Sequence, residues 1–221
     1  MNRTERREII QSAGARRALA QRRKILVYVS VAIMALIVIV AVVLATNKSA
    51  VPVGASHADD RAALTVGQKA PEFAVSTTAG PFDLATAAGK PVLLEVFASW
   101  CPHCQREVPA LDRIAATYKA KARVVAVAGS PFGIDQSAPE SQADVVAFVE
   151  KYHATYPVAF DPNLDVAKKY LQGGFPTVVL IGADGTVQAI RDGEIPAGDL
   201  TKALDLSIAG KKPDPKLGAK S

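Results

Sequence analysis

The sequence feature that most constrains the fold of this chain is the segment 100–104 (WCPHC), which directly follows an apolar run. It contains the only two cysteines of the 221 residues. The run 92–98 (VLLEVFA) is almost continuously apolar, as expected for a central strand that is covered on both faces. Pro102 then stands where the first turn of a helix tolerates proline. The sequence therefore places the two cysteines at a strand-to-helix junction.

Two cysteines at this spacing are suited to switching between a dithiol and a disulfide. Cys101 falls at the helix N-terminus, where unpaired N–H groups and the helix dipole favour an anion, so we expect it to be the attacking thiolate. Cys104 lies one turn further along the same side and is placed to resolve a mixed disulfide. A structural zinc site needs about four ligands, and a purely structural disulfide closing so short a loop would stabilise little. The motif therefore predicts a redox-active pair with no metal and no cofactor.

The body of the chain, residues 64–209, reads as alternating strands and helices of a single α/β domain. The strand at 92–98, a helix to about residue 118 and a strand at 123–128 predict a parallel βαβ unit. A loop rich in Gly, Pro and Ser follows. The remaining predicted elements are a helix at 143–152, a strand at 157–160, a helix ending at 170, a hairpin of strands at 177–181 and 186–190, and a helix at 197–208.

The N-terminal part of the chain predicts membrane attachment. Residues 1–24 carry eight basic and two acidic side chains, a net charge of +6. The uncharged residues 25–45 would form a transmembrane helix about 31 Å long, enough to cross a bilayer core of about 30 Å. Because the basic residues precede the span, the N-terminus is expected in the cytoplasm and the body outside. A cleaved signal peptide is the alternative, since residues 43–45 (VLA) resemble a cleavage site.

The remaining segments are predicted to be a linker and a tail. Residues 46–63 are small and polar without periodicity, as in a flexible tether, and residues 210–221 are predicted to be a flexible tail. Outside residues 1–24 the net charge is −1, so the folded part offers no general basis for binding nucleic acid. The basic N-terminal tail is suited to contact with the anionic inner leaflet of the lipid bilayer.

Together with two further motifs, the cysteine segment resembles the active site of thioredoxin-like proteins. Residues 70–73 (APEF) lie near the start of the body, and residues 175–177 (FPT) come late in it. With the predicted order of elements, these motifs are similar to the membrane-anchored thiol-disulfide oxidoreductases of the TlpA/ResA type, within the thioredoxin and redoxin superfamily. The resemblance covers nearly all of residues 64–209. It implies a thioredoxin-like fold, in which helices flank a central mixed sheet that carries an inserted α-β unit.

The resemblance also implies roles for residues around the cysteines. Glu95 matches a buried acid that moves protons to and from the second cysteine; the alternative is an edge position with its side chain in water. Pro102 and His103 lie between the two cysteines, and in this family the residues at these positions set the reduction potential of the cysteine pair. A Pro-His pair is similar to that of the oxidising DsbA proteins. An imidazole there would stabilise the thiolate, whereas a solvated His103 would not. Trp100 is expected beside the active site, or otherwise as a half-exposed core aromatic.

Pro176 matches the cis proline that faces the cysteine pair in thioredoxin-like proteins. In those proteins the backbone beside this proline pairs with an extended substrate segment, so Phe175 and Thr177 would border a substrate groove. A proline that merely opens a strand would need no such role.

These features predict a membrane-anchored, extracytoplasmic thiol-disulfide oxidoreductase. Its expected partners are cysteine thiols or disulfides of exported proteins, such as apocytochrome c, and a redox partner in the membrane. A redoxin-type thiol peroxidase is one alternative, although Ala98 stands where those enzymes carry threonine. A copper-binding metallochaperone on the same fold is another, although the known version has a wider cysteine spacing. The direction of electron transfer stays open, because the TlpA/ResA resemblance favours reduction and the Pro-His pair favours oxidation.

Overall fold

The structure is a computed structural model that describes residues 63–218. The predicted cytoplasmic tail at 1–24, the transmembrane helix at 25–45 and all but the last residue of the linker at 46–63 lie outside the described residues. Within residues 63–218, no helix is both long and apolar enough to span a bilayer.

The described part of the chain alternates short strands with helices. The strands are β1 (Ala74–Thr77), β2 (Gly80–Asp83), β3 (Val92–Phe97), β4 (Arg123–Ala128), β5 (Val158–Phe160), β6 (Thr177–Ile181) and β7 (Val187–Asp192). The helices are α1 (Pro102–Tyr118), α2 (Gln142–Tyr152), the single turn α3 (Ala167–Tyr170) and α4 (Ala197–Ile208), with a 3-10 turn at Leu84–Ala87.

These strands form one mixed sheet in the order β2-β1-β5-β4-β3-β6-β7. Strand β3 lies parallel to β4 and antiparallel to β6, so the predicted βαβ unit of β3, α1 and β4 is confirmed. The predicted hairpin of β6 and β7 is confirmed as well. The sequence patterns do not predict the hairpin of β1 and β2, because its strands are four residues long and half exposed.

The side chains of β3 alternate between two buried layers. Leu93 and Phe97 belong to the layer that also contains the cysteines and α1, whereas residues 92, 94 and 96 pack on the opposite face of the sheet. By this alternation Glu95 lies in the same layer as the cysteines, and its side chain is only 2% exposed. The alternative of a solvated edge position for Glu95 is therefore wrong, because β3 is a central strand.

The structure differs from the predicted flexible tail over residues 210–218, which pack against β7. The Ile190 N–H donates to the Pro215 carbonyl oxygen (3.0 Å), and Arg191 Nη1 donates to the Leu217 carbonyl oxygen (2.9 Å). The Leu217 side chain is buried in the core. Strand β7 lies at an edge of the sheet, and this segment satisfies the Ile190 N–H, which an edge strand would otherwise leave to solvent.

Candidate active site

The two cysteines lie where β3 leads into α1. Cys101 is the N-cap residue of α1, with an extended backbone (φ −75°, ψ 119°), and Cys104 lies in the first turn. Pro102 begins the helix, as the sequence predicts. No side chain caps this helix terminus, so its first N–H groups are available to the Cys101 sulfur. Both cysteines are free thiols and both are buried.

The pKa of the Cys101 thiol is lowered to about 6. The largest cause is the hydrogen bond from the Cys104 thiol; burial opposes the shift, while the backbone N–H groups of Cys104 and His103 and the charge of His103 support it. At neutral pH, Cys101 is therefore mainly a thiolate, which is the nucleophilic form.

The pKa of the Cys104 thiol is shifted in the opposite direction to that of Cys101. Burial raises the pKa of the Cys104 thiol, and the hydrogen bond to Cys101 and the negative charge of Glu95 raise it further. Its side chain is only 1% exposed. Cys104 therefore keeps its proton while Cys101 is a thiolate, and it needs a base before it can act as a nucleophile.

Two buried carboxyl groups share the layer that contains the cysteines. Burial raises the pKa of Glu95 well above its usual range, and the negative charge of Glu107 adds to this effect. Burial also raises the pKa of Glu107 to about 7, although a 2.6 Å hydrogen bond from the Ile195 N–H opposes that shift. Because like charges in one buried site disfavour each other, the pair holds at least one proton at neutral pH.

The two acids are hydrogen-bonded to each other through their carboxyl groups. Oε1 of Glu95 and Oε2 of Glu107 are buried and have no other hydrogen-bond partner within residues 63–218. A buried polar atom without a partner is costly, and such atoms are concentrated where chemistry requires them. The two carboxyls can therefore accept or release a proton within the buried layer.

Glu107 was not predicted from the sequence as a site residue. This residue follows Cys104 by three positions and lies on the buried face of α1 with Val108 and Leu111. The helical periodicity of α1 is the sequence signal that could have identified it, because this acid occupies a position where the spacing of apolar residues predicts a buried side chain.

The loop before β6 brings its cis proline to the nucleophile. The Phe175–Pro176 peptide bond is cis, and the Phe175 carbonyl oxygen lies 3.5 Å from Cys101 Sγ. The Trp100 ring packs edge-on against the Phe175 ring with a centroid distance of 6.0 Å. The structure therefore places Phe175, with Pro176 next to it and Trp100 against its ring, on the side of Cys101 Sγ.

Thr177 differs from the expectation that it borders a substrate groove. Its side chain is fully buried, and its hydroxyl donates to the Gly174 carbonyl oxygen (2.8 Å) and accepts from the Gln172 N–H (3.2 Å). Since it is the first residue of a central strand, its side chain faces the core. Thr177 therefore stabilises the loop that carries Pro176.

His103 takes part in a charged cluster at the surface. Its Nδ1 lies 2.6 Å from Nη2 of Arg106 and 3.1 Å from Oε2 of Glu194, and its side chain is 55% exposed. Arg106 also donates from Nη2 (2.7 Å) and Nε (3.1 Å) to the same Glu194 oxygen. Neither Arg106 nor Glu194 was identified from the sequence, because Glu194 lies 88 positions from its partner.

A buried carboxylate holds the backbone that precedes Cys101. Glu140 accepts hydrogen bonds from the N–H groups of Ser99 (2.9 Å) and Ser130 (3.1 Å), so it ties the turn after β3 to the end of β4. The Ser130 hydroxyl in turn accepts from Nε1 of Trp100 (2.9 Å). The irregular loop 129–141 gives no periodic signal from which this contact could be predicted.

Comparisons with known proteins agree with this geometry. A family model described as Redoxin matches residues 65–206. The thioredoxin-like protein YneN of Bacillus subtilis is 33% identical over 141 residues, covering 63% of this chain and 79% of the relative. The thiol-disulfide oxidoreductase ResA of Bacillus cereus is 31% identical over 129 residues, covering 58% of this chain and 70% of ResA.

The similarity extends to solved structures. A crystal structure from Chlorobium tepidum, assigned as a thiol:disulfide interchange protein DsbE, gives a TM-score of 0.55 at 32% identity over 66% of this chain and 97% of the other. The thioredoxin-like α/β fold and the resemblance to ResA-type proteins are therefore confirmed.

Replacing Cys104 by alanine should raise the pKa of Cys101, because the hydrogen bond that lowers it most is lost. The rate of iodoacetamide alkylation, measured against pH with the modified cysteine identified by mass spectrometry, should show a midpoint near pH 6 for the native chain. The midpoint of Cys104→Ala should move toward that of an ordinary thiol, about 8.5. Cys104→Ser keeps a donor and serves as the control with an intermediate midpoint. A native midpoint above pH 8 would contradict this account of the site.

Replacing Glu107 by glutamine should stabilise the protein at neutral and higher pH. Because the folded state raises the pKa of this carboxyl from 4.5 to about 7, it binds the proton more tightly than the unfolded state does. Stability is therefore lost as the pH rises through that window. Urea unfolding should show Glu107→Gln to be more stable than the native chain above pH 7, by up to about 3 kcal/mol, with little difference below pH 4.5. The matched control is Glu150→Gln on the exposed face of α2; an equal pH dependence in both variants would refute the prediction.

Proposed function

The chain belongs to the redoxin family, and from that premise we propose that it is a thiol-disulfide oxidoreductase of the ResA type. The observation that supports this most directly is the pairing of two unlike thiols. Cys101 is a thiolate near neutral pH, and Cys104, one helical turn away, is a protonated thiol beside buried acids. A nucleophile with a resolving cysteine in reach is the arrangement that thiol-disulfide exchange requires.

The reaction begins at the Cys101 thiolate. In the reducing direction, this sulfur attacks one sulfur of a substrate disulfide, and an S–S bond forms between Cys101 and the substrate. The other substrate sulfur leaves as a thiolate and takes a proton from solvent. The first-turn N–H groups of α1 stabilise the negative charge on Cys101 before the attack.

The second step needs the proton of Cys104 to be removed. Glu95 is the proposed acceptor, since its negative charge raises the pKa of the Cys104 thiol, and its hydrogen bond to Glu107 lets the two carboxyls share a proton. The Cys104 thiolate then attacks Cys101 Sγ, the Cys101–Cys104 bond forms, and the remaining substrate sulfur leaves and is protonated. Two electrons have then passed from the dithiol to the substrate. The same steps in reverse oxidise a substrate dithiol.

The substrate is a polypeptide segment that carries a cysteine. The Phe175 carbonyl oxygen beside Cys101 and the partly exposed ring of Phe175 offer one backbone acceptor and one apolar surface next to the nucleophile. Trp100 closes the other side of this ring. An extended segment would lie along residues 174–176, with its sulfur placed over Cys101.

The reaction takes place outside the cytoplasmic membrane, with the N-terminus inside the cell. The basic residues 1–24 and the uncharged residues 25–45 support this orientation. The substrates are accordingly cysteines of exported proteins, and a redox partner in the membrane returns the dithiol to its starting state.

The mixed disulfide provides the test of the proposed reaction. When mixed with oxidised glutathione, full-length Cys104→Ser should accumulate a mixed disulfide between Cys101 and one glutathione while the second glutathione leaves as the thiol, because no cysteine resolves it; Cys101→Ser should accumulate none. In a chain with both cysteines, Glu95→Gln should slow resolution by about 10²-fold or more, since proton transfer is lost. Stopped-flow mixing and mass spectrometry measure both steps, with Glu150→Gln as the control. Consumption of hydrogen peroxide faster than disulfide exchange would instead favour a thiol peroxidase.

The orientation in the membrane can be checked with a reporter cysteine. Lys211 is exposed in the structure, so Lys211→Cys in a chain with Cys101 and Cys104 replaced by alanine presents one accessible thiol. A membrane-impermeant maleimide should label this thiol in intact cells whose outer layers are permeable to the reagent. Labelling only after the cytoplasmic membrane is broken would contradict the proposed location.

A further inference from the structure

The charged cluster of His103, Arg106 and Glu194 lies beside the nucleophile, and the reaction steps above do not use it. His103 and Arg106 belong to the first two turns of α1, whose N-cap is Cys101. Both side chains interact electrostatically with the Cys101 sulfur. Glu194 comes from the loop between β7 and α4, and its Oε2 lies within 3.1 Å of a nitrogen of each.

The contacts at Nδ1 of His103 show that Glu194 is the shared partner in this cluster. Arg106 can only donate, and its Nη2 lies 2.6 Å from Nδ1 of His103 and 2.7 Å from Oε2 of Glu194. The same Oε2 atom lies 3.1 Å from Nδ1 and accepts from it when Nδ1 carries a hydrogen. Oε2 of Glu194 is therefore within hydrogen-bond reach of both side chains.

Glu194 is also held in place from inside the protein. The next residue, Ile195, is buried and donates its N–H to Glu107 in the layer of the cysteines. The guanidinium of Arg191 approaches the Glu194 carbonyl oxygen at 3.4 Å. The backbone of this short loop is thus anchored, and the carboxylate is presented to α1 at a defined place.

We propose that Glu194 is a positioning residue for the dithiol, which binds Arg106 and His103 and so withholds their positive charge from the Cys101 thiolate. The Cys101–Cys104 couple is then a weaker oxidant than its Pro-His pair indicates. The inference rests on the proposed function, and it names a residue that biases the direction of electron transfer. Its physical basis is that charge which stabilises the thiolate stabilises the reduced form, and a carboxylate bound to that charge cancels part of the effect.

The test compares full-length Glu194→Gln with the native chain. Because the Glu194 side chain is 40% exposed, the substitution removes a charge without opening the core. The equilibrium between the dithiol and the disulfide in glutathione buffers should shift toward the dithiol by roughly two- to fivefold, the range for a partly exposed ion pair. The midpoint of Cys101 alkylation should move to lower pH. Glu194→Asp, which keeps the charge, should stay close to the native values, and Glu150→Gln should not differ from them.

A variant that lacks both His103 and Arg106 shows whether Glu194 acts through these two residues. In a chain carrying His103→Asn and Arg106→Gln, adding Glu194→Gln should change neither the glutathione equilibrium nor the alkylation midpoint. If Glu194→Gln causes the full shift in that background too, the inference is wrong. It is also wrong if Glu194→Gln alone has the same glutathione equilibrium and alkylation midpoint as the native chain. In both cases the proposed function stands as long as the native chain exchanges with glutathione.

Failure of the proposed function gives a different result. In that case the native chain forms no Cys101–Cys104 disulfide at any glutathione ratio. The alkylation midpoint still tests Glu194 there, because it needs only a reactive thiol. A downward shift in Glu194→Gln supports the positioning role, and an unchanged midpoint overturns it.

Discussion

The hydrogen bond from the Cys104 thiol to the Cys101 sulfur is the interaction on which the rest of the site depends. It lowers the pKa of one thiol and raises that of the other, so two residues of the same type take different roles. The bond exists because the first turn of α1 brings the two side chains to one side, and Pro102 between them is compatible with that turn. The central strand β3 and the proline loop before β6 then determine what else reaches these two sulfur atoms.

The layer between β3 and α1 combines a hydrophobic core with acid chemistry. Glu95 and Glu107 occupy positions where apolar side chains would stabilise the domain more, and apart from the hydrogen bond between them each leaves one oxygen atom without a partner among residues 63–218. The side chains around them are mainly apolar, from Leu93 and Phe97 on the sheet to Leu111 on the helix. Burial of the two carboxyls disfavours their ionised form and so raises their pKa values. This suits proton transfer from Cys104, because a base in a buried site must take up and release a proton near neutral pH.

The parts of this site that could be predicted from the sequence are those with a local signal. The cysteines and Pro102 follow an apolar strand, and Glu95 interrupts that strand, so their positions follow from adjacent residues. Glu107 had a weaker signal of the same kind in the periodicity of α1. Glu194 had none, because its contact with Arg106 spans 88 positions and is made by an exposed loop. The packed segment at 210–218 was missed for a related reason, since its polar composition hides the buried residues Pro213 and Leu217.

The difference between local and distant contributions also limits what the dipeptide between the cysteines indicates about the direction of electron transfer. Pro102 and His103 are the residues nearest to the sulfur atoms in sequence, yet the charge of His103 is the smallest of the resolved effects on the Cys101 pKa. The hydrogen bond from Cys104 and the N–H groups of the first helical turn contribute more. Charge near this helix N-terminus also comes from outside the motif, since the carboxylate of Glu194 lies against both His103 and Arg106. The role proposed for Glu194 therefore places part of the control of the dithiol in a loop that the motif does not include.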